Sequence, residues 1–242
     1  MNPHIQQLRK HLHALNHQYY VLNDPMASDA DYDRLLSQLI ELERKYHEDF
    51  DPNSPTQRVG SDLVNTFAKV RHSVPMLSLG NTFTAEEVVA SFPAMDLISE
   101  WKIDGLSLSL RYVEGKLEKA VTRGDGTVGD DVTANARTIK NIPLHLPESV
   151  TVEVRGEVYM KRSVFAAINK ARLEEGDEPF ANPRNAASGT LKQKDSAEVS
   201  RRNLSFVAYQ GFGGAIKHQH QSGMLANLRF LGFETTNDLA HG

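Results

Sequence analysis

The sequence predicts an α+β fold in which a helical hairpin precedes antiparallel sheets with flanking helices. Through residues 5–46, apolar side chains recur every three to four positions, the spacing of amphipathic helices. From residue 97 onward, apolar and polar residues alternate instead, and a Glu114-Gly115 turn joins two such runs. Alternating runs joined by a short turn predict an antiparallel meander. With 242 residues, the chain is long enough for one large domain or two smaller ones.

Composition excludes several classes of protein. A net charge of −4 excludes an overall basic surface for nucleic acid, although local patches remain open. The absence of cysteine excludes disulfides and thiolate metal sites and agrees with a reducing compartment. No long apolar run or signal-peptide core is present, so we expect a cytoplasmic chain outside the membrane. The pairs His11/His13 and His218/His220 have no carboxylate or cysteine at a useful spacing, so no zinc site is expected.

Two helices are predicted between about residues 4 and 49, as an antiparallel hairpin. The first covers residues 5–20 and ends at the turn-forming residues 23–25. Ser28 opens the second helix, and Asp31 stands three residues later as its capping-box partner. Short connections between amphipathic helices favour antiparallel packing.

Aromatic and acidic residues cluster where the two helices meet. Asp29, Tyr32 and Asp33 share one face of the first turns of the second helix. The carboxylates are explained either as caps that complement the helix dipole or as part of a pocket. In a pocket, Tyr19, Tyr20 and Tyr32 would stack a flat cationic ring that the carboxylates neutralise. The residues alone leave both interpretations open.

A proline- and turn-rich linker is predicted after the hairpin, from residue 51 to about 68. A short helix follows at residues 84–91, with Thr84 as N-cap and Glu87 as its capping-box partner. From residue 97 a strand is predicted that places Glu100, Lys102 and Asp104 on one face. That face is either solvated or lines a polar cleft in which the lysine is a nucleophile.

The remaining elements alternate between helix and strand. The glycine-rich residues 123–131 form either a plain loop or a loop whose backbone amides and Arg123 approach an anion. A helix at 133–140 precedes a strand that places Glu153, Arg155 and Glu157 on one face, with Gly156 suited to close approach. The later predictions are a helix from Ser163 to about 175, a surface loop or binding element at 180–193, a strand at 204–209 and a helix ending at Gly232.

Short motifs then point to a family. Residues 102–105 match the Lys-x-Asp-Gly motif of covalent nucleotidyltransferases, namely DNA ligases, RNA ligases and mRNA capping enzymes. Further blocks occur in the family's order: Tyr19-Tyr20 with Asp29-x-x-Tyr32-Asp33, then residues 54–60, 76–79, 122–126, 154–157 and 182–187. Together they resemble the N-terminal part of bacterial NAD-dependent DNA ligase, over about residues 4–233. The helical hairpin distinguishes this family from ATP-dependent ligases.

The resemblance implies three segments. Residues 1–50 would be a helical hairpin that binds the nicotinamide mononucleotide half of NAD, and residues 51–68 a linker. Residues 69–242 would be a partial adenylylation domain with the ATP-grasp-like nucleotidyltransferase fold of ligases. The family domain continues into a strand of the type Asp/Glu-Gly-Val-Val-Ile-Lys, which this sequence lacks. An incomplete domain is therefore expected, and this chain alone is not expected to seal nicks.

The resemblance also implies roles for individual residues. Lys102 would attack the α-phosphorus of NAD and hold AMP, which requires an unprotonated fraction that a cation such as Arg123 favours. By the same resemblance, Glu100 and Asp104 would contact the lysine, the ribose or the adenine, Glu157 the ribose or magnesium, and Tyr209 the adenine, while Ser78 and Leu79 would contact the nucleotide. Arg123 and Arg184 would contact phosphates or the nicked strand, and Lys192 phosphate or nucleic acid. The nicotinamide mononucleotide half would be held by Tyr19, Tyr20, Asp29, Tyr32 and Asp33. Relatives often carry histidine at Tyr20 and arginine at Lys192.

NAD and magnesium are the implied cofactors, and nicked double-stranded DNA is the implied partner of the full enzyme, acting as a monomer in replication and repair. Two other functions stay open. One is an NAD- or nucleotide-binding module without turnover, which the missing late lysine favours. The other is a different lysine nucleotidyltransferase such as an RNA ligase, against which the Tyr19-to-Asp33 cluster argues.

Overall fold

The computed structural model describes residues 2–20, 22, 26–58, 66–78, 80–214, 216, 218 and 220–236. The helices are α1 Pro3–Tyr20, α2 Asp29–Lys45, α3 Ala85–Ser91, α4 Thr133–Arg137, α5 Arg162–Glu174, α6 Pro183–Leu191, α7 Ser196–Arg201 and α8 Gln221–Phe230. The strands are β1 Lys69–Arg71, β2 Leu106–Val113, β3 Lys116–Thr122, β4 Val128–Asp130, β5 Val152–Tyr159 and β6 Ser205–Phe212. Among these described helices, none is long and apolar enough to cross a membrane.

The predicted hairpin forms and has a small core of its own, built by the buried side chains Ile5, Leu8, Leu12 and Leu39. The Ser28 hydroxyl accepts from the Asp31 amide, which confirms Ser28 as the N-cap. The Asp31 carboxylate accepts from the same hydroxyl, whereas in a capping box it would accept from the Ser28 backbone amide. Arg9 of α1 forms a buried ion pair with Glu43 of α2. The second helix ends at Lys45, earlier than predicted, and a 3-10 turn at His47–Asp49 follows it.

A four-stranded antiparallel sheet in the order β3-β2-β5-β6 forms the centre of the larger part. The Glu114-Gly115 turn joins β2 to β3 as predicted, and Gly115 has a positive φ of 77°. On one face, here called the core face, apolar side chains from neighbouring strands are fully buried: Leu108, Leu110, Tyr112, Val154, Val158, Phe206 and Ala208. The opposite face, here called the polar face, carries serine and ionisable side chains.

The core face is covered by the segment after α4. Ile142 and Leu144 belong to the same buried cluster as the sheet residues, and the Tyr112 hydroxyl donates to the Pro143 carbonyl at 2.7 Å. The beginning of the predicted linker also packs here, because Asn53 donates to the Leu117 carbonyl and Arg58 donates to the Ile139 carbonyl. The ring of His13 on α1 packs against the ring of His145 in the segment after α4, so the hairpin contacts the larger part on the core-face side of the sheet. Residues 59–65 of that linker lie outside the described residues.

Several predictions of local structure were wrong. Residues 97–104, predicted as the strand that holds Lys102, have no regular structure, and β2 begins only at Leu106. The region 180–193, predicted as a loop or binding element, contains α6, which Asn182 caps and in which Ala186 and Leu191 are buried. Helix α7 and the small β1-β4 sheet were not predicted.

Smaller differences concern helix ends. Helix α5 begins at Arg162 with Lys161 as its N-cap, so Ser163 lies inside the first turn instead of capping it. Helix α4 ends at Arg137, three residues earlier than predicted. The short helix α3 and its N-cap agree with prediction, because Thr84 accepts from the Glu87 amide. The Glu87 carboxylate accepts from the Phe83 amide and not from the Thr84 amide that a capping box would use.

Candidate active site

The polar face of the sheet presents a row of hydrogen-bonding side chains from adjacent strands. Ser107 and Ser109 of β2 point to the same face as Glu153, Arg155 and Glu157 of β5, because side chains two residues apart share a face. Cross-strand hydrogen bonds join them: Ser107 donates to Glu157 at 2.8 Å, and Ser109 donates to Glu153 at 2.9 Å. The face is therefore an ordered polar surface with defined side-chain positions.

A buried ion pair lies in the middle of this face. Arg155, 4% exposed, pairs with Glu153 at 2.8 Å and also donates to the carbonyls of Val74 and Pro75. Although burial raises it, hydrogen bonds from Ser73, Arg155 and Ser109 hold the pKa of Glu153 below its usual range. The pair thus holds the segment 73–76 over the sheet.

Glu157 has the opposite electrostatic environment. Burial raises the pKa of this half-buried carboxyl, while the Ser107 hydroxyl and the charges of Lys102 and Arg184 act in the other direction. The backbone amide of Gly105 also donates to it. Glu157 is therefore the point at which the sheet meets the segment that carries Lys102.

Lys102 lies on the exposed segment that leads into β2. Gly105 allows this segment to approach the sheet, because a Cβ there would lie 2.1 Å from the Val158 carbonyl oxygen. Asp104, also exposed, forms an ion pair with Arg184 in the first turn of α6 at 3.0 Å. The amine of Lys102 is thus accessible at the edge of a site that holds both carboxylates and a guanidinium.

Glu100 is held from the C-terminal side of the described chain. Its carboxylate accepts from Gln221 at the start of α8 and from the hydroxyl of Thr236. Gln221 also donates to the backbone carbonyl of Tyr209 on β6. Glu100 is therefore half-buried and positioned by residues more than 100 positions later in the sequence.

Tyr209 lies on the same face as this group. Burial and the negative charge of Glu157 raise the pKa of its phenol, while a hydrogen bond with Ser107 lowers that pKa. Since Ser107 also donates to Glu157, Tyr209 and Glu157 share one hydrogen-bonding neighbour. The predicted adenine-stacking residue and the predicted ribose contact are thus brought together.

The glycine-rich loop uses its own carboxylate to satisfy its amides. Asp125 accepts from the backbone amides of Thr127 and Val128, both at 2.8 Å, and these hydrogen bonds lower its pKa. These two amides are therefore occupied, which favours the plain-loop interpretation for this part. Arg123 is exposed and donates to Ser78 at 2.8 Å, so its guanidinium is the group that can meet an anion.

Other predicted site residues lie apart from the Lys102 group. Lys192 pairs with Asp130 of β4 at 3.0 Å, and Lys69 pairs with the same carboxylate. Tyr32 accepts a hydrogen bond from Asn16 within the hairpin, while Tyr19 and Asp33 are exposed there. The predicted Leu79 and the side chains of Tyr20 and Asp29 lie outside the described residues. The structure therefore divides the predicted site between the polar face and the hairpin.

Sequence reasoning missed the residues that support the site. Ser107 and Ser109 alternate with the apolar positions of β2, so their shared face was available from the pattern. Gln221 and Thr236 gave no such pattern, because their contact with Glu100 depends on tertiary folding. Among the described residues, no group of three histidine or carboxylate side chains is placed to hold a metal ion.

Comparisons with known proteins identify the family of the chain. A family model described as the NAD-dependent DNA ligase adenylation domain matches residues 64–241. A second model, described as the DNA ligase-like N-terminal NAD+-binding domain, matches residues 1–60. Their boundary falls in the region between the hairpin and the first strand.

Curated relatives named DNA ligase match most of the chain. The protein of Petrotoga mobilis is 49% identical over 213 residues, which cover 84% of this chain and 32% of the relative. That of Thermosipho africanus is 47% identical over 215 residues, covering 85% and 32%. That of Halothermothrix orenii is 46% identical over 241 residues, covering 95% and 36%. The chain spans about a third of the length of these relatives.

Proposed function

Because this chain belongs to the NAD-dependent DNA ligase family, we propose that its polar face is the site where Lys102 accepts AMP from NAD. The observation that carries the proposal is the position of Lys102. Its amine is exposed, within electrostatic range of Glu157, and two residues from the Asp104–Arg184 ion pair. A nucleophilic amine needs this combination of access, carboxylates to orient it and cations to meet phosphate.

In this step the Lys102 nitrogen forms a bond to the α-phosphorus of NAD. The bond between that phosphorus and the bridging oxygen breaks, nicotinamide mononucleotide leaves with that oxygen, and the amine releases a proton to the solvent that reaches exposed Lys102. Arg123 and Arg184, both exposed, neutralise the phosphate charges. Glu100, held by Gln221 and Thr236, orients the lysine or the adenosine.

The nucleoside is placed along the strands. Tyr209 stacks on the adenine and Glu157 contacts the ribose, and their shared neighbour Ser107 supports this arrangement. Ser78, bonded to Arg123, lies beside the phosphates. Glu157 is the carboxylate that would hold a magnesium ion, which would supply additional neutralisation of the phosphate charges.

The hairpin, residues 1–50, holds the nicotinamide mononucleotide half through Tyr19, Tyr20, Asp29, Tyr32 and Asp33. Residues 51–68 connect it to the adenylylation domain that begins at residue 69. Since the hairpin meets the larger part on the core-face side, its nucleotide-binding residues and Lys102 need a relative movement to share one NAD molecule. Lys192 assists with nucleic acid or phosphate once it leaves Asp130.

In the whole protein, the AMP held by Lys102 passes to a 5′-phosphate at a nick, and a neighbouring 3′-hydroxyl closes it. The protein's partner is nicked double-stranded DNA in the cytoplasm, during replication and repair. This wider role is supported by the curated relatives, which are named DNA ligase and are about three times as long as the matched region.

The proposal is tested by the intact mass of the chain after incubation with NAD and magnesium. We expect a gain of one AMP from NAD but not from ATP, and none in Lys102→Ala. Lys170→Ala is the matched control, since Lys170 is exposed on α5 far along the chain. If NAD binds to the parent chain in a calorimetric titration but the parent chain gains no AMP, the chain is a binding module without turnover.

The role of the hairpin is tested separately. Asp33→Asn should lower the rate of adduct formation from NAD by about tenfold, since a carboxylate that neutralises a cationic ring is lost. AMP binding, measured by calorimetry, should stay unchanged because AMP lacks the nicotinamide half. Equal weakening of both ligands would remove Asp33 from the nicotinamide site.

A further inference from the structure

Residues 72–78, here called the strap, follow β1 and lie over the polar face of the sheet. The strap contains no helix or strand, and of its side chains with a described environment only that of Met76 is buried. A segment without regular structure keeps its course only through contacts with its neighbours. The position of the strap is therefore decided by the groups that hold it.

Two backbone hydrogen bonds join the strap to the glycine-rich loop. The His72 amide donates to the Thr127 carbonyl at 2.9 Å, and the Met76 amide donates to the Gly126 carbonyl at 2.8 Å. Gly126 has a positive φ of 93°, and an added Cβ there would lie 3.0 Å from the Met76 carbonyl oxygen. A displacement of the strap would therefore displace the loop as well.

The buried ion pair of β5 fixes the middle of the strap to the sheet. The Arg155 guanidinium donates to the two successive carbonyls of residues 74–75 while it pairs with Glu153. Ser73 donates to the other oxygen of the Glu153 carboxylate. The guanidinium also lies 4.5 Å from the centroid of the Phe212 ring. A lysine ammonium does not reproduce this planar set of partners.

The end of the strap contacts the arginine that is proposed to meet phosphate. Arg123 donates to the Ser78 hydroxyl at 2.8 Å, and both side chains are exposed. Arg123 also begins the loop whose Gly126 carbonyl holds the strap. Since an exposed arginine has many accessible rotamers, a contact from the strap limits the orientation of its guanidinium.

Arg155 is not placed to bind a ligand itself. It is 4% exposed, and each of its three side-chain nitrogens already donates to an acceptor of the chain. Any effect of Arg155 on a bound nucleotide therefore passes through the strap.

We propose that Arg155 is a positioning residue for the transfer of AMP to Lys102. By fixing the strap to the sheet, it holds Ser78 and the glycine-rich loop where the Arg123 guanidinium faces the phosphate of the nucleotide. This inference rests on the proposed function, because it takes phosphate as the ligand of Arg123.

The test compares the affinities of AMP and adenosine by calorimetry, because these two ligands differ only in the phosphate. Arg155→Lys keeps a positive charge beside Glu153 but lacks the planar fork that binds both strap carbonyls. We expect it to weaken AMP binding by about fivefold, since a charge-assisted contact is misplaced, and to leave adenosine binding unchanged. Arg123→Ala should weaken AMP binding by about tenfold and also leave adenosine binding unchanged.

The double variant Arg123→Ala/Arg155→Lys shows whether the two arginines act on the phosphate together. If Arg155 acts through Arg123, the double variant binds AMP like Arg123→Ala alone; additive losses would overturn the proposal. Ser78→Ala removes only the last contact of the path, at an exposed position, so it tests the path even if Arg155→Lys unfolds the chain. It should weaken AMP binding by about threefold, with no further loss once Arg123 is alanine.

Arg172→Lys is the matched control. Arg172 of α5 has the same kinds of partner as Arg155, namely the Glu178 carbonyl, the Asp177 carboxylate and the Phe180 ring. Its replacement should leave the affinities of both ligands unchanged.

Hydrogen exchange measures the strap without any ligand. Exchange of the Met76 amide, which bonds to the Gly126 carbonyl, should become faster in Arg155→Lys and stay unchanged in Arg172→Lys. Amides of β2 and β5 should keep their protection in both variants. Unchanged exchange at Met76 would overturn the proposal, because the strap would then be held without Arg155.

The remaining outcomes separate this proposal from the proposed function. Equal weakening of AMP and adenosine in Arg155→Lys indicates general damage to the site and overturns the positioning role alone. If Arg123→Ala binds AMP like the parent chain, or the parent chain does not bind AMP, both proposals are wrong. If AMP binds as expected but Lys102 gains no adduct from NAD, only the transfer step fails, and the affinities still decide whether Arg155 positions Arg123.

Discussion

The core face and the polar face of the sheet are built by the same strands, yet different interactions hold them. On the core face, Leu108, Leu110 and Val154 are fully buried and need only close packing. On the polar face, Arg155 is nearly as buried, but it requires Glu153 and two backbone carbonyls as partners. One strand therefore serves two purposes, because its side chains alternate between faces.

This difference separates stability from chemistry. Packing on the core face is non-directional and tolerates conservative exchange of apolar side chains. The polar face depends on defined pairs, and those pairs position the segment that carries the proposed site. Loss of one partner there should cost both stability and site geometry.

The largest expected effect is that of Arg155→Ala. It leaves Glu153 buried without its ion-pair partner and releases the segment 73–76, so the free energy of unfolding should fall by about 3–5 kcal/mol. Urea unfolding followed by circular dichroism measures this. Arg111→Ala, which breaks the exposed Arg111–Glu118 pair on the neighbouring strand, should cost less than about 1 kcal/mol. Equal losses in the two variants would show that burial does not distinguish these pairs.

Leu110→Ala is expected to follow, with a loss of about 2–5 kcal/mol, because it removes fully buried methyl groups and leaves a cavity. The polar face should remain intact, so adduct formation at Lys102 should persist at temperatures where the variant is folded. Leu173→Ala, at a position 61% exposed on α5, is the control and should change stability by less than about 0.5 kcal/mol. Loss of activity in a folded Leu110→Ala chain would contradict the separation of the two faces.

Glu157→Gln should give the smallest change in stability, on the order of 1 kcal/mol, and this change should depend on pH. Burial raises the pKa of Glu157 above its ordinary value of 4.5, so the folded chain binds more protons than the unfolded chain between those two pKa values. The stability of the parent chain therefore falls as pH rises through that window. Glutamine does not titrate, so the variant should gain stability relative to the parent as pH rises.

Urea midpoints measured from pH 4 to pH 8 test this, with Glu148→Gln at an exposed position as the control for the substitution itself. If the stability of Glu157→Gln instead falls relative to that of the parent chain as pH rises, then Lys102 and Arg184 hold Glu157 ionised and burial does not keep it protonated.

Local patterns predicted many, though not all, of the regular elements. The capped helices at Ser28 and Thr84 and the turn at Glu114-Gly115 formed as expected, because the interactions that determine them lie within a few residues. The shared face of Glu153, Arg155 and Glu157 followed from strand alternation alone. Membership in the ligase family, which the motifs predicted, was confirmed by the matching family models.

The alternation of apolar and polar residues wrongly predicted a strand at residues 97–104. A strand needs a partner, and β5 pairs with β2 only from Leu106 onward, so the earlier residues have no ladder in the described chain. Residues 180–193 were predicted as a surface loop or binding element, because their polar content hid the buried alanines of α6. A short helix with a small apolar stripe is stabilised by packing, which the sequence does not display.

The sequence by itself determined the fold class, the helical hairpin and the antiparallel pair of strands around the Glu114-Gly115 turn. These depend on periodicity, capping and residue type, all of which are local. Only the tertiary structure decided that Gln221 and Thr236 hold Glu100 and that Arg155 is buried beneath residues 73–76. It also decided that the strap joins Arg155 to Arg123. Such contacts join residues distant in sequence, and their free energy depends on burial that exists only once the chain has folded.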